Sequence, residues 1–488
     1  YGGGAWWVRE GVLWFADWAT LRLHRLAPGG EPEALTPEPA VPRGLRYADG
    51  DVSPDGSTIL CVEEEHHADG REATNRIVRL AAHKPSTPEP VVEGPDFVAD
   101  PRWRPDGGAF CWLEWDHPDM PWDATRLVVD EGGRRTVVAG GDERESIVQP
   151  TWAADGSLWF SGDRTGFWSV YRWTPDGGRE LVLDLGKDIG DPQWVFGQRS
   201  FALLGPGRLA TVHHDGGTQH LSVWELDAGG AFVGVQLDEL PYTSYDAICA
   251  HGDDVAAIVA SPAEEPHVVR VPIVAQPPDA DGQPLLGAGA PEVVVPPRDL
   301  GLDPAWFSAP EPIDFPTGDG QTAHALYYPP TNPEVRGPDD EKPPLLVMIH
   351  GGPTSAARPL LALAKQYWTS RGFAVVDVNY RGSTGYGRAY RELLRGQWGV
   401  ADVEDCAAVC RFLVDRGDVD PDRLCIRGGS AGGYTTLACL VADDTFAAGA
   451  SHYGVADLGA LAADTHKFES RYLDGLVGPW PEARAAYE

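Results

Sequence analysis

No run of about 18 apolar residues occurs anywhere in this chain, so no membrane-spanning helix is expected. The opening "YGGGAWWVRE" has no basic region leading into an apolar one, so no secretory signal is visible. It also lacks a Met and reads as the middle of a strand, so the sequence is expected to begin inside a longer protein. Positive charge is scarce: 39 Lys and Arg face 73 Asp and Glu, a net charge of −34. That balance repels nucleic acid and anionic lipid, and neither is expected as a partner. A cationic group such as a peptide's free amino end would be attracted, although solubility or a salt-tolerant host explains the charge first. Only five of the basic residues are Lys, which codon bias accounts for as readily as function. Cysteine pairs are lacking too. The seven cysteines are odd in number, scattered and without a paired-ligand zinc pattern. They read as buried thiols in a reducing compartment, with a cytoplasmic location and no metal or other cofactor expected.

What is present divides into two rhythms, and 488 residues suggest at least two domains. The first 300 residues alternate short aromatic strands with Gly-rich turns. "GVLWFADWATLRLHRLAPGG" (11–30) resembles "GSLWFSGDRTGFWSVYRWTPDGG" (156–178). "SPDG" (53–56), "RPDG" (104–107) and "AADG" (153–156) recur about every 50 residues, with weaker copies at "HHDGG" (213–217) and "HGDD" (251–254). Asp-Gly marks hairpins because glycine accepts positive φ at low cost. A period of 40–50 residues with four strands per unit describes a β-propeller, whereas sandwich domains repeat at about twice that period. Six units and a partial one at the start give about seven blades. Fifteen of the 18 Trp precede residue 310, as filling between blades would require. Residues 276–303 read as a last strand or two and a linker, placing a propeller domain over 1–305.

From 306 to 488 the pattern is α/β. "PLLVMIHGGP" (344–353), "FAVVDVNYRG" (373–382), "LCIRGG" (424–429) and "FAAGASHYG" (446–454) are continuous apolar runs, as parallel strands buried on both faces require. Between them, Val403, Cys406, Cys410 and Leu413 line one face of a helix that Asp402 helps to start and Gly417 ends. Strand and helix in alternation predict a parallel α/β sheet.

Gly428-Gly429-Ser430-Ala431-Gly432 fits G-x-S-x-G between an apolar strand and a helix. Such a turn lifts a serine hydroxyl above the sheet, at a helix start where negative charge is favoured. "HGGP" (350–353) ends an earlier strand. A hydrolase must hold an oxyanion with preformed donors. The N–H after the nucleophile, at Ala431, and one from the glycine pair, at Gly352, are the candidates. His350 beside that loop reads as orienting it rather than as the base. In an α/β-hydrolase the chain order is Ser, acid, His. After Ser430 only His452 and His466 remain, and the strands that should carry acid and base are missing. The hydrolase domain is therefore expected to be partial, with both partners beyond residue 488.

These residues together resemble the prolyl oligopeptidase family of serine peptidases, in its acylaminoacyl-peptidase and dipeptidyl-peptidase-like aminopeptidase branch. The resemblance is carried by "HGGP" (350–353), "NYRGSTGYGR" (379–388), "QWGVADVED" (397–405), "GGSAGGY" (428–434) and "FESRYLDG" (468–475). It extends through "YGGGAW" (1–6) and "EWDHPDMPWDATRL" (114–127). It implies a β-propeller followed by an α/β-hydrolase domain that cleaves short peptides, without a cofactor and with possible homo-oligomers. By position it makes Ser430 the nucleophile and Gly352 and Ala431 the oxyanion donors. His350 falls where some members carry an oxyanion tyrosine. Leu458, Leu461, Phe468 and Tyr472 correspond to the pocket for the residue before the cut bond. Ala431 replaces the aromatic that prolyl-specific members often carry. Glu114, Asp116 and the run Glu63-Glu64-Glu65 are candidates for the substrate amine, with a solvated blade edge as the plainer reading. An esterase of the same fold, or a silent binding protein built on a propeller, stay open as alternatives.

Overall fold

The computed structural model describes all residues except Tyr1, Asp142, Ala228, 278–284 and Glu488. Among the described residues the first 295 form six antiparallel sheets of propeller-blade type, spanning 6–34, 45–92, 97–139, 147–183, 201–236 and 244–295. The expectation of about seven is corrected to six. The overcount has its source at the start: the five turn copies fall one to a blade from the second to the sixth, and residues 1–44 carry no Asp-Gly, so the first blade reads as a fragment. In the second, third and fourth blades the Asp-Gly turn closes the first hairpin, with Gly56, Gly107 and Gly156 at positive φ. "HHDGG" instead closes the second hairpin of the fifth blade, between Arg208–Asp215 and Thr218–Leu226. The segment at the start is itself the first blade, not a fragment beside six others. In the sixth blade the long strand Glu264–Gln276 pairs with both Leu285–Ala288 and Glu292–Val295. The strands expected over 276–303 are thus present, apart from 278–284, which lie outside the described residues.

The chain forms two compact units. The first comprises 1–186 (the first four blades), 192–198 and 465–472. Trp14, Trp112, Trp122 and Trp168 are buried in it, and the Trp14 indole N–H donates to Ala82 O at 3.0 Å. Trp6 and Trp18 are exposed, so the aromatic excess is not all blade filling.

The second unit comprises 187–191, 199–464 and 473–488, with the last two blades and the α/β sheet. The strands of that sheet are β1 (Glu311–Pro316), β2 (Thr322–Tyr328), β3 (Leu345–Ile349), β4 (Ala374–Asn379), β5 (Leu424–Gly429) and β6 (Ala448–His452). Their order is β1-β2-β4-β3-β5-β6; β4, β3, β5 and β6 run parallel, and β2 is antiparallel to β4. All six residues of β4 are buried, as expected for a strand covered on both faces. Its one acidic residue, Asp377, meets Lys365 Nζ at 2.6 Å. Helix α1 (Leu363–Thr369) follows β3, and α2 (Gly387–Glu392) and α3 (Ala401–Arg416) follow β4. Cys406, Cys410 and Leu413 of α3 are buried, and Gly417 ends the helix in the left-handed conformation. Asp402 does not cap α3; its carboxylate accepts Gly399 N–H and the Thr435 hydroxyl, each at 2.6 Å. Helix α4 (Ala431–Ala442) follows β5 directly. No helix among the described residues is long and apolar enough to cross a membrane.

Candidate active site

Parallel pairing of β3 with β5, Ile349 opposite Gly428, brings the ends of both strands together. The chain then turns sharply from β5 into α4, and Ser430 makes that turn at φ 55°, ψ −122°. A non-glycine residue at such angles is strained and persists only where its surroundings over-determine it. They do so here by close packing. A Cβ on Gly428 would lie 2.2 Å from Gly432 O, and one on Gly432 would lie 2.4 Å from Ile349 O. The Ser430 N–H donates to His452 O at 3.1 Å, and Ser430 O accepts from Gly433 and Tyr434 N–H. The side chain makes no capping hydrogen bond and is exposed. Ala431 follows, buried, as the first residue of α4.

The loop after β3 runs beside this turn: a Cβ built on Gly351 would be 3.7 Å from Ser430 Cβ. Gly352 has φ 121°, which a side chain would not tolerate. His350 fixes the loop. Its Nδ1 lies 2.8 Å from Gly351 O, an acceptor only, so Nδ1 carries the proton. Its Nε2 therefore accepts from the Ser383 hydroxyl at 2.9 Å. Burial lowers the pKa of His350 against the pull of the Gly351 carbonyl and Asp377, which keeps the ring neutral. The ring stacks on Tyr380 at 4.4 Å, and the Tyr380 hydroxyl donates to Pro353 O at 3.1 Å. Tyr380 and Ser383 lie in "NYRGSTGYGR", which the sequence marked only as a family stretch. What would have identified them is the need of a half-buried histidine for a partner on each nitrogen.

The other candidates fall into both units. In the second, α5 (Leu458–Ala463) is capped by Asp457, which accepts Ala460 N–H at 2.8 Å; Leu458 is buried and Leu461 half-buried. His452 is exposed, with its Nε2 3.1 Å from an Arg427 Nη2. In the first unit, Phe468 packs against Phe97, Trp122 and Trp194, and Tyr472 packs against the same two Trp. The Glu114 and Asp116 carboxylates both bind Arg126, at 3.0 and 2.7 Å. Burial would raise the pKa of Asp116, but the Arg126 hydrogen bond and charge outweigh it and hold it low. Glu63 is buried against Arg76. Glu64 lines a cavity of about 600 Å³ in the same unit, with Glu72, Asn75, Trp115, Lys467 and Phe468. The Lys467 ammonium donates there to Asn75 Oδ1 and Asp96 O, at 3.1 and 2.6 Å. No group of three or more metal-ligating side chains occurs among the described residues.

A model of the prolyl oligopeptidase family matches residues 361–488. The chain is similar to a solved puromycin-hydrolyzing peptidase from Mycobacterium tuberculosis, with 39% identity, a TM-score of 0.90 and coverage of 100% of this chain and 75% of that one. It is 29% identical over 179 residues to dipeptidyl aminopeptidase BIII of Pseudoxanthomonas mexicana, spanning 36% of this chain and 25% of the relative. It is 34% identical over 123 residues to the acylamino-acid-releasing enzyme of Arabidopsis thaliana, spanning 25% and 16%. The matched stretches thus cover a quarter or less of these curated relatives' lengths.

Proposed function

This chain belongs to the prolyl oligopeptidase family, and from that premise we propose that the protein is a serine peptidase cleaving short peptides near their amino ends, through an acyl-enzyme on Ser430. One observation carries the reading: an exposed serine, held at a strained strand–helix turn, beside the backbone of a glycine pair from the neighbouring strand. In this reading Ser430 Oγ attacks the peptide carbonyl and its proton passes to a histidine of the full-length protein, since His350 is bound to Gly351 O and Ser383, His452 to Arg427, and His466 pairs with Glu469. The N–H groups of Gly352 and Ala431 hold the oxyanion, a pair of donors each worth about 3 kcal/mol in the transition state. The proton returns to the leaving amine, and water then releases the acyl group.

Leu458 and Leu461 suit an apolar residue before the cut bond. A dipeptidyl aminopeptidase among the curated relatives supports cleavage near the amino end. Seven unpaired cysteines fit a cytoplasmic location. The test is steady-state kinetics of the full-length protein on a matched peptide and ester pair. Ser430→Ala is expected to lower kcat on the peptide by at least about 10⁴-fold. Retention within tenfold would reject Ser430 as nucleophile, and hydrolysis of the ester alone would replace the peptidase reading with an esterase.

A further inference from the structure

The loop bearing the glycine pair does not stop at the sheet. Within the second unit its continuation, 354–362, is tied to the sixth blade and to the segments flanking the fifth. Thr243 Oγ1 donates to Pro359 O at 2.6 Å, and Leu361 N–H donates to Ser261 O at 2.8 Å. Arg358, near the middle of this stretch, meets Asp246 of the sixth blade at 2.8 Å and Asp191 at 3.9 Å. Asp191 also meets His214 of the fifth blade at 3.1 Å. A second route starts from the same histidine. A Cβ on Gly385 would lie 2.8 Å from His214 Nδ1, so the 382–387 loop rests on that ring. Asp188 clamps both sides: its carbonyl accepts His214 N–H at 3.0 Å and its carboxylate accepts Gly387 N–H at 2.9 Å. The 382–387 loop contains Ser383, the partner of His350 Nε2, and Thr384, whose N–H donates to Ser355 O at 2.9 Å. The first route grips residues 358–361 and the second residues 350 and 355, so both hold the same loop. The space enclosed by His214, Gln219, Arg358, Gly385 and Tyr386 is only about 10 Å³, so a shift in one member moves the others.

We propose that His214, Asp191 and Arg358 are positioning residues for the Gly351–Gly352 loop, holding the oxyanion donor in place from the blades. This rests on the acyl-transfer reading above. A donor displaced by about 1 Å can cost up to 100-fold in rate, so a salt-bridged anchor is a specific device and not merely packing. The network also makes placement depend on a proton. Asp191, Asp188 and Arg358 are the charged groups facing His214, with Gln219 as the neutral one. Burial alone would lower the pKa of His214, but Asp191, reinforced by Asp188, outweighs burial and the repulsion of Arg358 and raises it. The anchor is therefore fully formed below the ordinary histidine pKa of about 6.5. It is lost as pH rises through the raised value.

The test is the pH dependence of kcat and KM for the full-length protein on an aminoacyl p-nitroanilide. Arg358→Met is expected to lower kcat about tenfold with KM within twofold, and Arg358→Lys to recover most of the loss. His214→Gln is expected to hold kcat near the wild-type alkaline value from neutral to alkaline pH, which removes the alkaline decline and leaves in place the acid limb set by the general-base histidine. Ser430→Ala is run in parallel. If it abolishes turnover while Arg358→Met and His214→Gln keep wild-type kcat and pH profile, the positioning role is wrong and the acyl-transfer reading stands. If Ser430→Ala remains active, the underlying reading fails instead. Should Arg358→Met lack a cooperative melt, the His214→Gln profile decides by the same criterion.

Discussion

Ser430 owes its geometry to what its neighbours lack. The strained φ of 55° persists because Gly428 and Gly432 let the turn close on itself and on the end of β3. Gly432→Ala would drive a methyl to within 2.4 Å of a backbone carbonyl, which no side-chain rotation relieves. Overpacking against backbone of this kind is expected to cost about 2–3 kcal/mol or more, read as a lowered denaturant midpoint together with loss of hydrolysis. The glycine spacing was legible in the sequence because the steric demand of the turn falls on single residues. The partners of His350 were not. The tautomer that fixes the loop depends on Gly351 O and on Ser383, 33 residues away, and spacing alone does not reveal that contact.

At the scale of elements, α3 and α4 are pinned by a buried carboxylate. Sequence pattern located α3 and its glycine stop, because 3.6-residue periodicity and left-handed caps leave local marks. It assigned Asp402 to a helix cap, whereas the side chain turns back to Gly399 and across to Thr435 of α4. Long-range hydrogen bonding overrode the local preference. Burial pushes the Asp402 pKa up to about 6, against the opposing bonds from Thr435 and Gly399. A carboxyl raised in this way binds its proton more tightly when folded. Its contribution is present at low pH and lost as pH rises from about 4 to about 6, by about 3 kcal/mol for a shift of roughly two units. Asp402→Asn, which keeps the shape and can still pair with Thr435, is expected to flatten that part of the stability–pH curve. Denaturant melts at pH 4, 5 and 6 read this directly; an unchanged slope would mean that Asp402 does not titrate there.

At the scale of the whole chain, both fold types were legible from periodicity, while the blade number was not. The turn signals fall one to a blade from the second blade to the sixth, and the first blade carries none, so its strands read as a fragment. Glu114 and Asp116 looked available in the sequence, and the antiparallel neighbour supplies Arg126 to bind both. The central claim joins the α/β sheet to chemistry at one atom, Ser430 Oγ. The most direct measurement is mass spectrometry of the full-length protein after reaction with a fluorophosphonate and proteolytic digestion. The phosphonyl adduct is expected on the peptide containing Ser430 and absent from Ser430→Ala. An adduct on another residue, in a protein still hydrolysing peptides, would contradict the account.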